Sequence, residues 1–255
     1  MNIQNKMNCV YGRLSSRHFL LVSLFLIIPI TSGCVSVGED KYQVHDPAEG
    51  FNRSIYNLSD GLDKRLLTPV ARVYKSATPS WFRSSVSNAS GNLIEIDSSI
   101  NSFLQGKPKA GFNDLSRVVI NSTIGIGGLI DVASNVGIDF QEEDLGQTLA
   151  TAGWNRSAYF YVPVAGPSNA RDLPGMAFRS VLPRLILGNS YTWWIGGIVM
   201  LNSRAEALSL TDARDTTALD PYAFTREAYY QRRKFLIFDG EPPIDDFFDD
   251  FEEDY

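Results

Sequence analysis

Apolar side chains recur at helical spacing along much of the chain. The first series has gaps of three and four residues, as on one face of an α-helix, and consists of Phe51, Ile55, Leu58, Leu62 and Leu66. Pro69 follows this series. Because proline lacks a backbone donor and its ring clashes with the preceding turn, we expect the helix to stop near Pro69.

Two further amphipathic helices are predicted downstream. One ends at Gly106, since a Gly-Lys-Pro sequence is typical of a helix stop. Its apolar residues are Ile94, Ile100, Phe103 and Leu104. The other covers residues 108–122, with Phe112, Leu115, Val119 and Ile120 on one side.

Signals for β-structure are weak. Residues 159–164 (YFYVPV) are a short β-rich run, and Pro163 argues against a central strand there. A long helical segment is expected from 203 to 236, bent at Pro221. With no internal repeat and no flexible linker, the pattern predicts one all-α domain from about residue 45 to 240.

The segment SYTWWIGGIVMLN, residues 190–202, is apolar without a narrow stripe. Trp193 and Trp194 precede Gly196 and Gly197. A helix that is hydrophobic on all sides is either deeply buried or in contact with lipid. The apolar run is too short to cross a bilayer, which takes about 20 residues. Two readings stay open: insertion into the membrane interface with tryptophan at the headgroup level, or a buried core helix.

The N-terminus has the features of a bacterial lipoprotein signal. A basic region holding Lys6, Arg13 and Arg17 precedes an apolar run from Phe19 to Ile30, followed by TSGC. We expect residues 1–33 to be a signal peptide and Cys34 to carry the lipid anchor, with 34–44 as a tether. Attached acyl chains would hold the protein stably at a membrane.

Two details around Cys34 refine the prediction of a lipid-anchored protein. Cys9 falls within the removed segment, so the mature chain has no partner for an internal disulfide with Cys34. Position 35 is valine rather than aspartate, which by analogy with enteric sorting rules favours the outer membrane.

Charge is concentrated at the C-terminus. The signal peptide has three basic and no acidic residues, so its removal would change the net charge from −6 to −9. Residues 241–255 (EPPIDDFFDDFEEDY) contain eight acidic and no basic side chains, and we predict a disordered acidic tail. Phe247, Phe248 and Phe251 leave open a docking role for it. An acidic chain with a near-neutral body does not suit nucleic-acid binding.

Several chemistries lack their residues. His45 is the one histidine of the mature chain, and we expect it at the surface. No G-x-S-x-G motif presents a serine, so a hydrolytic triad is not supported. Too few Cys and His residues remain for a zinc site, and no metal or cofactor is expected. Glu142, Glu143 and Asp144 could cap a helix or lie in solvent.

The glycine-rich stretch VINSTIGIGGLID invites comparison with phosphate-binding loops. Gly125, Gly127 and Gly128 do not have the G-x-G-x-x-G spacing, and no G-K-[ST] follows. Glycine also permits tight turns and close helix packing. We therefore predict a structural turn in a membrane-associated hairpin.

With these residues in view, the chain strongly resembles the MlaA/VacJ family of outer-membrane lipoproteins. The likeness spans nearly the whole mature chain, with small departures at Leu58, Ser59, Leu145 and Ala152. Its ordered blocks are DPAEGFNRSIYNLSDGLDKRLLTPVARVY (46–74), NSFLQGK (101–107), RVVINSTIGIGGLID (117–131), EDLGQTL (143–149), YVPVAGPSNARD (161–172) and LDPYAFTREAYYQRR with FDG (219–240).

The resemblance implies a fold and a function. The fold is a single ring-like helical domain embedded in the outer membrane of a Gram-negative bacterium, with a central amphipathic channel. Members of the family remove misplaced phospholipids from the outer leaflet and pass them to a periplasmic phospholipid-carrier protein, in association with a trimeric outer-membrane porin. No catalysis is implied.

Charged residues in such a channel would have to be paired or hydrated. Six side chains lie on roughly one face of the predicted terminal helix: Asp212, Asp215, Tyr222, Arg226, Tyr229 and Arg233. They either line the route and meet the headgroup or form a solvated periplasmic face. We expect Arg171 and Asp172 to form a structural pair or cap.

Two alternative functions follow. A lipoprotein that braces porins without transporting lipid would also associate with porins, but its deletion would leave outer-leaflet phospholipid unchanged. A lipid-degrading hydrolase would need a nucleophile and a base that the sequence lacks.

Overall fold

The computed structural model describes residues 45–243, apart from the side chains of residues 189–192. The signal peptide, Cys34, the tether and the acidic tail from residue 244 onward lie outside the described residues. The helices are α1 (Glu49–Leu62), α2 (Thr68–Ala77), α3 (Ser80–Leu104), α4 (Pro108–Thr123), α5 (Val132–Asn135), α6 (Leu145–Thr151), α7 (Leu173–Leu187), α8 (Asn189–Thr217) and α9 (Pro221–Ile237). The all-α prediction is confirmed, with one two-stranded hairpin added.

The predicted helix stop near Pro69 is wrong. α1 continues through a π-helical turn, Asp63–Leu67, directly into α2. In this turn the Thr68 N–H donates to the Asp63 carbonyl, five residues back. The wider turn absorbs an extra residue just before the proline, which has no N–H to lose, so the helix passes Pro69 without ending.

α3 and α4 form a packed helical pair. Their connection follows the predicted stop: α3 ends at Leu104, and Gly106 takes a positive φ of 74° that glycine adopts readily. The Gly106 N–H donates to the Phe103 carbonyl and the Lys107 N–H to the Ser102 carbonyl. Pro108 then begins α4, where its missing N–H costs nothing.

The short β-rich run forms one strand of a hairpin. β1 (Tyr159–Val162) ends just before Pro163 and pairs antiparallel with β2 (Gly166–Asn169). Asn52 of α1 holds β1 in place, because its amide donates to the Tyr159 carbonyl at 3.0 Å and accepts from the Tyr161 N–H at 3.2 Å. The hairpin is thereby fixed against the first helix.

The expected single helix bent at Pro221 is instead two helices. α8 ends at Thr217, and Asp220 caps the start of α9 by accepting from the Tyr222 and Ala223 N–H groups. Proline in the first turn of α9 is compatible with this cap. The apolar segment and the residues after 203 belong to one 29-residue helix, α8.

α8 runs antiparallel to the first helical segment. Asn202 Oδ1 accepts from Tyr74 Oη at 2.9 Å, whereas Arg214, twelve positions later, contacts Asp60, fourteen positions earlier than Tyr74. The start of α8 therefore extends beyond the end of α2. This direction places Trp193 and Trp194 outside the part of α8 that packs on α1 and α2.

Apolar burial is confined to small clusters. Tyr56, Tyr159 and Tyr222 meet edge to face at the junction of α1, β1 and α9. Ala71, Ala205 and Leu208 fill the α2–α8 contact, where small residues allow close helix approach. Most of the remaining buried side chains are polar.

Candidate functional site

α4 is packed with its polar face inward. Its predicted apolar residues Phe112, Leu115 and Val119 are exposed, with Phe112 61% accessible. Its buried positions are Gly111, Asp114, Arg117 and Asn121. A soluble globular domain buries the opposite face of such a helix.

The same inversion holds for α3 and for the first helix. In α3 the apolar residues Ile100, Phe103 and Leu104 are exposed, whereas the buried positions are Asn92, Glu95, Asp97, Ser98, Ser99, Asn101 and Ser102. In α1 and the π-helical turn, Phe51, Leu58, Leu62 and Leu66 are exposed opposite the buried Asn52 and Tyr56. Contiguous exposed apolar surface on this scale indicates contact with a membrane or another protein.

α8 adds exposed aromatic side chains to this exterior. Trp193 and Trp194 are 72% and 82% accessible, so the reading of a buried core helix is wrong. Within residues 45–243, no helix combines the length and the apolar character needed to cross a membrane.

The buried polar residues form ion-pair networks, the first of them around Arg117. Its Nη2 lies 2.7 Å from Glu95 Oε1 and 3.2 Å from Asp131, and its Nη1 donates to the Ile138 carbonyl at 2.6 Å. Burial raises the pKa of Glu95 even though Arg117 opposes the shift. For Asp131, hydrogen bonds led by those from Ser134 outweigh burial and lower the pKa to about 2.

A second network joins α3, α7 and the segment before α6. Arg179 Nε lies 2.6 Å from Asp97 Oδ2, and its Nη2 donates to the Glu143 carbonyl at 2.8 Å. The Glu143 carboxylate is held by Lys107 at 2.7 Å, and Lys107 also contacts Asp239. Burial raises the pKa of both Asp97 and Glu143. Each buried carboxylate of this network therefore has a cationic partner.

The third network links α9 to α6 and α7. Arg233 donates two hydrogen bonds to the Asp144 carboxylate, at 2.6 and 2.9 Å. Its Nε lies 2.7 Å from Asp172, which also pairs with Arg171 and accepts from Tyr229 Oη. The predicted pairing of Arg171 with Asp172 is confirmed. Asp144 also caps α6, by accepting from the Gln147 N–H.

The N-terminal end of α9 contacts Asp46, a carboxylate near the start of the described chain. Asp46 accepts from Asn52 and Tyr222 and lies 3.1 Å from Arg226 Nη1. Arg53 pairs with Asp220 at 2.7 Å and stacks over the Tyr222 ring. Burial, followed by the bond to Asp46, raises the pKa of Tyr222 above its ordinary range.

The six expected headgroup residues do not share one helix face. Four of them share an inward face of α9. Tyr222 and Arg226 contact Asp46, whereas Tyr229 and Arg233 contact Asp172. Asp215 lies on α8 and pairs with Lys64 and Arg214, at 2.8 and 2.6 Å. Asp212 pairs with Arg72, and both side chains are more than half exposed.

The glycine-rich stretch forms the turn between α4 and α5. A Cβ on Gly125 would lie 2.2 Å from the Ile130 carbonyl oxygen, so only glycine fits there. Gly127 and Gly128 adopt φ values of 69° and 87°. Asn121 ties the turn down by accepting from the Ala133 N–H and donating to Asp131.

The residues considered above as candidates for catalysis or metal binding make hydrogen bonds and ion pairs within the fold. His45 is partly buried rather than fully exposed, and its carbonyl accepts from the Tyr159 N–H and from Tyr230 Oη. Glu142 pairs with Arg179 and Arg232. Across the part of the chain that the structure describes, no cluster of three or more His, Cys, Asp or Glu side chains suits a metal ion.

Sequence reasoning missed most of the buried polar set. The charged members that it missed are Glu95, Asp97, Asp114 and Arg117, together with the half-buried Arg179 that pairs with Asp97. A signal was present, because Asp114, Arg117 and Asn121 are spaced by three and four residues, as the apolar face of α4 is. The polar face of α4 was as periodic as its apolar face.

Comparison with known proteins adds sequence and structural relatives. A family model described as MlaA lipoprotein matches residues 44–236. The chain is 36% identical over 229 residues to the intermembrane phospholipid transport system lipoprotein MlaA of Escherichia coli (strain K12), covering 87% of this chain and 90% of the relative. It is 29% identical over 236 residues to the lipoprotein of the same description from Haemophilus influenzae, covering 87% and 91%.

A solved structure shares the fold. It is described as "Structural basis for maintenance of bacterial outer membrane lipid asymmetry", and the match has a TM-score of 0.66 with 31% sequence identity. The match covers 75% of this chain and 98% of that one.

Proposed function

Because the chain belongs to the MlaA lipoprotein family, we propose that it removes misplaced phospholipids from the outer leaflet of the outer membrane and so maintains lipid asymmetry. Its function is intermembrane phospholipid transport. The observation that carries the proposal is the inverted packing, with apolar faces outward on α1, α3 and α4 and ion pairs inside. Lipid can cover the outer faces, while the interior offers polar groups to a headgroup.

The membrane location is part of the proposal. Cys34 would carry acyl chains and tether residues 45–240 to the outer membrane of a Gram-negative bacterium, after removal of residues 1–33. As the family resemblance implies, the helical domain would sit in the outer membrane as a ring, and its apolar exterior supports contact with lipid. A central amphipathic channel would then be the lipid route.

The route would use both signs of charge. A zwitterionic headgroup carries a phosphate and an amine, and ion pairs can exchange partners with it. Asp212 and Asp215, beside Arg72 and Lys64, are the more accessible of the expected residues. Tyr222, Arg226, Tyr229 and Arg233 of α9 would shape the polar wall. The charges of the two arginines are neutralised by Asp46, Asp144 and Asp172.

Two protein partners complete the proposal. A trimeric porin would seat the chain in the outer membrane, and a soluble periplasmic carrier would receive the lipid. The acidic tail would be free to meet either of them. No covalent step is part of this transport, and release of free fatty acid by the purified protein would contradict it.

The test is the amount of phospholipid in the outer leaflet of cells lacking the protein, read with a lipid-modifying enzyme that cannot cross the membrane. We expect a rise on deletion, reversed by the wild-type gene and not by Cys34→Ala. If the outer-leaflet phospholipid is unchanged on deletion, while the wild-type protein associates with a porin, the porin-bracing alternative is favoured.

A further inference from the structure

The junction of α7 and α8 carries an arginine stacked on a tryptophan. The Arg184 guanidinium lies over the Trp193 ring, 4.7 Å from its centroid. Arg184 is exposed and makes no ion pair with any described side chain, unlike Arg117, Arg179 or Arg233. Stacking occupies one face of the guanidinium and leaves its in-plane N–H donors free.

No carboxylate is close in sequence. Between Asp172 and Glu206 the chain has three arginines and no acidic residue. Arg179 and Arg204 are both paired with carboxylates of other elements, Asp97 and Asp63. Among the described residues, Arg184 is thus the arginine of this segment without a carboxylate partner, and its donors can meet an external anion.

Much of the described surface next to Arg184 is apolar. Leu185, Ile186 and Leu187 follow it on α7, and all three are exposed. On α8, residues 193–198 are all exposed, which covers more than one full helical turn and therefore the whole circumference. A protein groove would bury one stripe of such a helix, whereas lipid surrounds it.

The spacing along α8 gives a depth. Asn202 is the position at which α8 begins to pack on α2 and α3, through Tyr74 and the Arg83 carbonyl. Trp193 precedes it by nine positions, about 14 Å along a helix axis. That length is close to half of the roughly 30 Å hydrocarbon thickness of a bilayer.

We propose that Arg184 and Trp193 form a binding site for the phosphate of a membrane lipid headgroup, at the end of a lipid-surrounded tip formed by the α7–α8 junction. The guanidinium donates to phosphate oxygens while the indole sits at the headgroup level. The site is separate from the transport route and fixes the depth of the protein in the membrane. It rests on the proposed seating of the protein in lipid.

The test compares two membranes without net charge, of which only one offers an anionic group. The full chain is transferred from detergent into vesicles of phosphatidylcholine, or of digalactosyldiacylglycerol, which has neither phosphate nor carboxylate, and vesicle-bound protein is measured by flotation. We expect wild type to favour phosphatidylcholine about tenfold, the order of one charge-assisted hydrogen bond. Arg184→Gln should remove this preference, and Arg184→Lys should retain part of it.

A matched variant separates this site from other cations. Arg65 is also exposed, and among the described residues it has neither an ion-pair partner nor an aromatic ring stacked on it. Arg65→Gln should keep the wild-type preference. An equal loss in Arg65→Gln, or a preference retained in Arg184→Gln, would overturn the phosphate site. Failure of wild type to enter either vesicle would instead contradict the seating in lipid.

Discussion

Removing the Arg117 side chain should destabilise the fold strongly, because the charge that it neutralises is buried. Arg117 and Glu95 expose only 4% and 6% of their side chains. In Arg117→Met the Glu95 carboxylate would lose the partner that holds it at 2.7 and 3.0 Å. The Ile138 carbonyl and Ser134 would lose donors as well.

The expected size follows from this geometry. Breaking a buried ion pair by removing one partner costs about 3–5 kcal/mol, since the remaining charge has no compensation. The Arg72–Asp212 pair exposes 60% and 57% of its side chains, and Arg72→Met should cost only about 0–1 kcal/mol. The double variant Glu95→Gln/Arg117→Met should recover part of the loss, because the unpaired charge is gone.

The free energy of unfolding can be measured by urea titration of the full chain in non-ionic micelles, followed by tryptophan fluorescence. The four proteins to compare are wild type, Arg117→Met, Arg72→Met and the double variant. If Arg117→Met costs no more than Arg72→Met, the polar interior is not the stabilising core that the inverted packing implies.

Three other outcomes follow from the structure. Leu66→Asn should leave the free energy of unfolding in micelles nearly unchanged but weaken vesicle binding about fivefold or more. Full burial of a leucine side chain contributes about 1.5–3 kcal/mol, and Leu66 exposes 60% of its surface to the surroundings. Equal vesicle binding by the variant and wild type would show that lipid does not cover this face. Gly125→Ala should destabilise more than Gly127→Ala, because a Cβ on Gly125 meets backbone oxygen whereas one on Gly127 meets open space; thermal unfolding of both variants decides. Burial raises the pKa of Asp114 above its usual 3.8, so the folded state keeps this proton to higher pH than the unfolded chain does. The stability contributed by this group is therefore present at low pH and is lost as pH rises from 3.8 through the raised pKa. Asp114→Asn should flatten this part of the stability–pH curve, and an unchanged slope would contradict the assignment.

Helical periodicity was a reliable guide to which residues share a face. The faces predicted for α1, α3 and α4 exist, and so does the turn at Gly125. Periodicity does not say which face points inward. Phe112, Leu115 and Val119 would point inward in a protein surrounded by water and outward in one surrounded by lipid. The sequence pattern is the same in both cases.

Other errors came from local turn and cap geometry and from contacts between residues distant in sequence. The pattern through Pro69 was read as a stop because a π-helical turn has no local signature as plain as the proline itself. The segment from 203 to 236 was predicted as one helix bent at Pro221, whereas the cap from Asp220 starts a new helix there. The partners of Arg226 and Arg233 are far away in sequence, at Asp46 and Asp144, so spacing alone could not show them.

The central claim is that lipid covers the outward apolar faces, and cysteine labelling in intact outer membranes tests it most directly. Cysteines placed at Val119 and at Asp139, both exposed in the structure, would be treated with a water-soluble maleimide and with an apolar one. We expect the water-soluble reagent to label Asp139→Cys and not Val119→Cys, and the apolar reagent to label Val119→Cys. Equal labelling of both positions by the water-soluble reagent would contradict the account.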